Sequence, residues 1–220
     1  MGGPGVLEAV SRIIELGGGA AQTTRVAALR AEFEKRTGAF APEDAWFEER
    51  SRAFWVDAVT RGRFGREVEA NLDETDRRWL EPLERAHRGL FRAEGGSLVD
   101  VWSGAVLTPT VIDEPSRAEL DAAADQLFDA RVVGGDAPFV IALLPGAIFH
   151  SRQATTAIEA VLLAARAADL KVDEILDRLL VMERALRSLS RVKAAYAYRL
   201  DAPSAMPTGA PVRRSERRSP

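Results

Sequence analysis

Apolar residues recur at intervals of three and four from Val6 to Leu83, abandon that spacing between Gly89 and His150, and return to it as far as Tyr196. Helical periodicity on both sides of a strand-like block predicts an α+β chain. Val6, Val10, Ile13 and Ile14 mark a short helix closed by Gly17, Gly18 and Gly19, and residues 1–22 read as a flexible segment. Val26, Leu29 and Phe33 share one face of a second helix, with Gly38 as its expected stop. Pro42, Glu43 and Asp44 fit the first turn of a third, where proline forfeits no hydrogen bond and acidic groups meet the positive end of the helix dipole. Gly62 and Gly65 end it, and Val68, Leu72, Trp79 and Leu83 predict a further helix that kinks or restarts at Pro82. Residues 23–88 therefore read as a helical arm.

In residues 89–150 short β-prone runs alternate with turn residues: Leu90–Ala93, Leu98–Trp102, Ala105–Thr110, Leu127–Val133, Phe139–Leu144 and Ala147–Phe149. Ser116 and Glu119 fit a capping box opening a short helix over 117–125. The run from Phe139 to Leu144 is apolar on both faces, which predicts a central strand covered on both sides. The strand spacing suggests a small antiparallel β-barrel or curled sheet, SH3-like or OB-like.

Ser151 is the expected cap of a helix carrying Ile158, Val161, Leu162 and Ala165. A longer helix starts near Asp173, where Ile175, Leu179, Met182, Leu186, Leu189, Lys193 and Tyr196 alternate steps of four and three. Residues 151–200 thus predict a helical hairpin with a coiled-coil-like seam, which either packs within the chain or forms a homodimer. Residues 201–220 carry prolines and Arg213, Arg214, Arg217 and Arg218 without apolar periodicity, as expected of a disordered basic tail.

Trp46, Phe47, Phe54 and Trp55 fall two turns apart in pairs and form a broad aromatic stripe. Core burial explains it economically, since each ring contributes about 1.5–3 kcal/mol when buried. Left exposed, the same rings would mark a partner site, as would Leu186, Lys193 and Tyr196 on the seam.

Net charge −3 gives no global attraction to phosphate backbones or anionic lipid. Among 30 basic residues only Lys35, Lys171 and Lys193 are lysines, and Asn71 is the single asparagine. That skew matches a GC-rich bacterial genome and accounts for the arginines without a phosphate partner. Residues 89–150 contain only Arg92, Arg117 and Arg131 against an excess of acids, so a basic groove is missing there. Without cysteine there is no disulfide framework, thiol nucleophile or thiolate-bound zinc. No run of 18 apolar residues appears, and a soluble cytoplasmic protein is the default expectation.

His87 and His150 are the only histidines and bracket the strand block. Pairing of the first and last strands would bring them together, with Asp100, Asp129 or Glu84 as a third polar group. Their spacing matches no metal-binding motif, and no serine-nucleophile elbow or phosphate-binding glycine loop is present. No catalytic residue, cofactor or metal is assigned, and His87, Asp100 and His150 remain the only candidate polar site. By subtraction, the expectation is a non-enzymatic protein working through protein–protein contacts, as an adaptor or regulator. The alternatives are a nucleic-acid-binding regulator using a small β-barrel and the basic tail, and an enzyme or small-ligand binder with an unmarked pocket.

Overall fold

The computed structural model describes residues 5–123, 125–134, 140–188 and 193–200. The expected tail, the turn at 135–138, Phe139 and Leu189 lie outside the described residues. The helices are α1 (Val6–Gly17), α2 (Thr23–Thr37), α3 (Phe47–Val59), α4 (Phe64–Glu67), α5 (Glu74–Arg77), α6 (Leu80–Glu84), α7 (Glu114–Ala122), α8 (Thr155–Ala167), α9 (Val172–Ser188) and α10 (Ala194–Ala197). The strands are β1 (His87–Glu94), β2 (Ser97–Asp100), β3 (Val106–Leu107), β4 (Leu127–Gly134), β5 (Ile141–Leu143) and β6 (Ile148–Phe149).

The sheet is antiparallel and open, in the order β3-β2-β1-β4-β5, with β6 also on β4. This overturns the expected barrel. Val132 pairs with Leu143 but Phe128 with Phe149, so the register sum rises from 275 to 277 and two extra residues bulge out. β5 and β6 are thus one interrupted strand along the far edge of β4, and Pro145 and Gly146 form the bulge rather than a reversal. Gly146 takes φ +84°, and a Cβ there would meet the Arg52 backbone carbon of α3 at 2.8 Å. Only glycine lets α3 lie that close. The opposite edge strands β3 and β5 form no ladder; only the segment after β3 touches β5, at one isolated bridge from Val111 to Ala142. The central strands are β1 and β4, and the apolar run ending at Leu144 lies at the edge, buried by α3 and neighbouring loops instead of by flanking strands.

Register and pleat give the sheet two distinct faces. Gly89, Phe91, Phe128, Ala130, Val132 and Leu143 face a small apolar core closed by Leu107, Ile112 and Leu120. Arg88, Leu90, Leu127, Asp129, Arg131 and Val133 face the helices, where α9 crosses β1 and packs on α2, while α3 meets β6. One apolar cluster runs from Val6 of α1 through Phe33 and Phe54 to Val133 and Leu180, so the helical arm and the sheet share a core. α1 is anchored in it, with Val6, Val10 and Ile13 at 2% exposure or less.

Local differences have local causes. α3 starts at Phe47, because the Asp44 carboxylate accepts from the Ala41 N–H and closes a turn before it. The helix expected over Val68–Leu83 is split, as Asp73 caps the Asp76 N–H and restarts the chain as α5. Asp113, not Ser116, caps α7. Lys193 is extended (φ −71°, ψ 140°), so α10 is separate from α9 and the seam does not run on to Tyr196.

Candidate functional site

Buried charge is concentrated on the helix face of the sheet, at three places. In the first, Arg88 of β1 donates from Nε and Nη2 to Asp129 of β4 (3.0 and 2.6 Å) and from Nη1 to Asp177 of α9 (2.6 Å). Arg36 of α2 bridges Asp177 (3.1 Å) and Asp57 of α3 (2.5 Å), and Asp57 accepts from Arg131 of β4 (2.5 Å). Arg88 and Arg131 stand directly opposite across the ladder, a like-charge pairing that is unfavourable unless neutralised. Three arginines and three aspartates alternate here, tying two strands to three helices. Burial acts against every charge, yet the Asp129 and Asp177 carboxylates hold the Arg88 guanidinium above its ordinary value. Burial, then repulsion from Arg88, lowers Arg131. Burial alone would raise Asp177, but the charges and hydrogen bonds of Arg88 and Arg36 hold it below the usual carboxylate range. The adjoining cavity measures about 10 Å³, at the threshold for one water and far below a ligand site.

The second place is Glu183 of α9, completely buried. Its Oε1 accepts from Ser151 Oγ (2.7 Å) and Arg187 Nε (2.7 Å), and its Oε2 from the Ser151 N–H (3.1 Å) and Tyr198 Oη (2.5 Å). His150 Nδ1 lies 3.0 Å from Tyr198 Oη. Since the tyrosyl proton is directed at Glu183, the His150 Nδ1–H points between Tyr198 Oη and Glu183 Oε2, which lies 3.4 Å away, and Nε2 is left buried without a partner among the described residues. Burial would push the Glu183 carboxyl up, but hydrogen bonding and charge from His150, with Tyr198 and Arg187, hold it well below the usual range. Burial and the Glu183 charge push the Tyr198 hydroxyl well up, so it stays protonated as a donor. Ser151 therefore serves Glu183 and not the helix it was expected to cap.

The third is Arg50, 1% exposed and without a carboxylate within ion-pair distance among the described residues. It donates to the carbonyls of Thr37 and Gly38 (3.1 and 2.6 Å), which are the negative end of the α2 dipole. The order Arg30, Phe40, Arg50, Trp46, Arg187 forms a continuous stack, with guanidinium carbons 4.3, 5.1, 5.5 and 4.4 Å from the successive ring centres. Burial, then the charge of Arg184, pulls Arg50 down to about 10, so it remains a cation at neutral pH.

The aromatic stripe is thus mostly interior: Trp46 and Phe54 are buried, Phe47 and Trp55 half-buried. Leu186 is buried with Ile175, Leu179 and Met182 in the cluster shared by α8, α9 and α10, whereas Lys193 and Tyr196 are exposed. His87 and Asp100 do come together, at 3.1 Å, but Asp100 also accepts from the Trp102 N–H and Ser103 Oγ and shapes that turn. His150 is elsewhere: His87 pairs with Val132 near one end of β4 while the His150 N–H bonds Leu127 at the other, on the opposite face. Asp129 belongs to the Arg88 network and Glu84 pairs with Arg66. Among the described residues no three His, Asp or Glu side chains gather as metal ligands, and no helix is long and apolar enough to cross a membrane.

Arg36, Asp57, Arg88, Asp177, Glu183, Tyr198 and Arg50 are the polar residues that sequence spacing does not single out. One signal was present: Asp129 and Arg131 alternate within a strand whose other positions are apolar, which places both charges on a covered face. No protein-family model, curated protein or solved structure matches this chain.

These carboxyls set a pH dependence. Asp177 and Glu183 sit below their unfolded-state values of about 4, so their contribution to stability is complete above about pH 5 and is lost as pH falls toward the folded-state values. Melting temperature is expected to drop through that acid range, and Asp177→Asn should lower it at neutral pH while flattening the acid slope. Thermal melts followed by circular dichroism check this, and an Asp177→Asn slope parallel to the wild type would contradict it.

Proposed function

We propose that this chain is a non-catalytic, cytoplasmic protein-interaction module whose binding face is the outer side of α8 together with residues 198–200. The observation that carries this reading is the distribution of apolar and charged groups. Arg88, Glu183 and Arg50, at the centres of the three buried polar groups, are hydrogen-bonded within the fold, while Leu163 (69% exposed) and Tyr196 (68% exposed) are large apolar side chains left in water. Next to Leu163 lies an open groove of about 300 Å³ lined by Ala160, Val161, Ala164, Tyr198, Arg199 and Leu200. Exposed apolar surface beside a concavity of that size favours a polypeptide side chain as occupant. The lack of cysteine fits a reducing compartment.

A photoreactive amino acid at Leu163 tests the assignment in living cells. The expected result is a discrete crosslinked polypeptide from position 163 and none from a control at the exposed Arg85 that follows α6. Equal labelling from both positions, or none from either, would remove the basis for a binding face on α8.

A further inference from the structure

Resting on that reading, we infer that the occupant of the α8 face is a second copy of this chain, packed antiparallel along α8 about a two-fold axis near Val161 and Leu162. The heptad-like seam of α9 is consumed inside the protomer, but α8 carries another. Thr156, Ala160, Leu163 and Ala167 step by four, three and four residues, and all four are exposed. Leu163 is the one long side chain in that row. Antiparallel alignment sets Leu163 of one copy against Ala160 of the second, twice, and Thr156 against Ala167. The short side chains admit close helix approach, and each leucine lands where the groove beside Ala160, Ala164 and Leu200 opens.

Charge selects the direction. Glu159 and Arg166 each precede a seam position by one residue, on the same flank of α8. In an antiparallel pair that flank meets its own counterpart, so Glu159 of each copy approaches Arg166 of the other. A parallel pair would set Glu159 against Ala164 and leave Arg166 facing past the end of α8, and would gain nothing. Both side chains are already oriented within the protomer: Arg92 donates to Glu159 (3.1 Å), and Arg166 stacks on Trp102 at 5.0 Å while donating to the Val101 and Trp102 carbonyls. Arg166 forms no ion pair among the described residues, so its charge is available to the second copy. The self-complementary patch matches the isologous contacts of two-fold dimers.

Sedimentation equilibrium of the purified chain from about 1 to about 200 µM reads the dimer directly. Leu163→Arg is expected to weaken it by about a hundredfold or more, since two buried leucines are lost. Glu159→Arg should weaken it about tenfold, and Glu159→Arg with Arg166→Glu should restore most of that loss. Unchanged far-ultraviolet circular dichroism establishes that each variant folds. A chain monomeric throughout the range, or a dimer indifferent to Leu163→Arg, overturns self-pairing. If the chain is monomeric and position 163 crosslinks a different protein, self-pairing fails while α8 stands as a binding face. If it crosslinks nothing, both fail.

Discussion

Replacing Arg88 with methionine is expected to lower the unfolding free energy by about 3–5 kcal/mol, the range for breaking a buried ion pair from one side. Its guanidinium is the only hydrogen-bond donor to the Asp129 carboxylate among the described contacts and shares Asp177 with Arg36. Without it, Asp129 is a buried anion with no direct hydrogen-bond donor among the described residues, and Asp177 keeps Arg36 at 3.1 Å and the more distant Arg61 at 3.8 Å. Relief of the repulsion between Arg88 and Arg131 offsets only a part, because those two side chains are already separated by their own aspartates. Urea unfolding should show a lower midpoint with an unchanged slope. Arg88→Met with Asp129→Leu removes charge from both sides and should recover much of the loss. A double variant whose destabilisation equals the sum of the single ones would mean that the two side chains are not coupled.

Glu183→Gln should cost about 2–4 kcal/mol although it changes almost no volume, because hydrogen bonds to a charged acceptor contribute about 1.5–3 kcal/mol each and an amide cannot accept at both ends. Whichever way it flips, its NH₂ faces a donor: Arg187 Nε and Ser151 Oγ at one end, or the Ser151 N–H and Tyr198 Oη at the other. A hydroxyl at either end can turn to accept, so the fixed donors, Arg187 Nε at one end and the Ser151 N–H at the other, set the cost. Tyr198→Phe separates a global from a local effect. It leaves three donors on Glu183 and removes a polar tether of residues 194–200, which are also held by apolar packing of Ala194, Ala197, Tyr198 and Leu200. Hydrogen exchange should therefore accelerate at the Tyr196 and Tyr198 amides, which bond Lys193 and Ala194 carbonyls, with little change in α9. Uniform acceleration through α9 in Tyr198→Phe would show that the tyrosine supports the whole cluster instead.

Much of the fold was legible because it is written in short-range periodicity. The hairpin turning at Gly95 and Gly96, the pairing of Leu127–Val133 with the run ending at Leu144, and the helix stop at Gly38 each follow from residues close in the chain. Barrel closure was not legible. It depends on which edge accepts β5, and the hydrogen-bonding capacity of an edge strand does not reveal which strand will meet it. The aromatic stripe was visible as rings close in sequence, but the arginines stacked on Trp46 and Phe40 come from α2, α3 and α9.

By itself the sequence determined the α+β class, the alternation of helix and strand, the aromatic stripe from Trp46 to Trp55, and the absence of thiol chemistry. Tertiary structure alone decided that the sheet stays open, that His87 and His150 lie at opposite ends and faces of it, and that the four-three seam of α9 faces inward while that of α8 faces water. The reason is the range of the forces. Hydrophobic periodicity and capping act over a few residues and leave a signature in any window of the chain. An ion pair such as Arg88 with Asp177, 89 positions apart, is stable only when burial and neighbouring charges are already in place, and neither residue announces its partner.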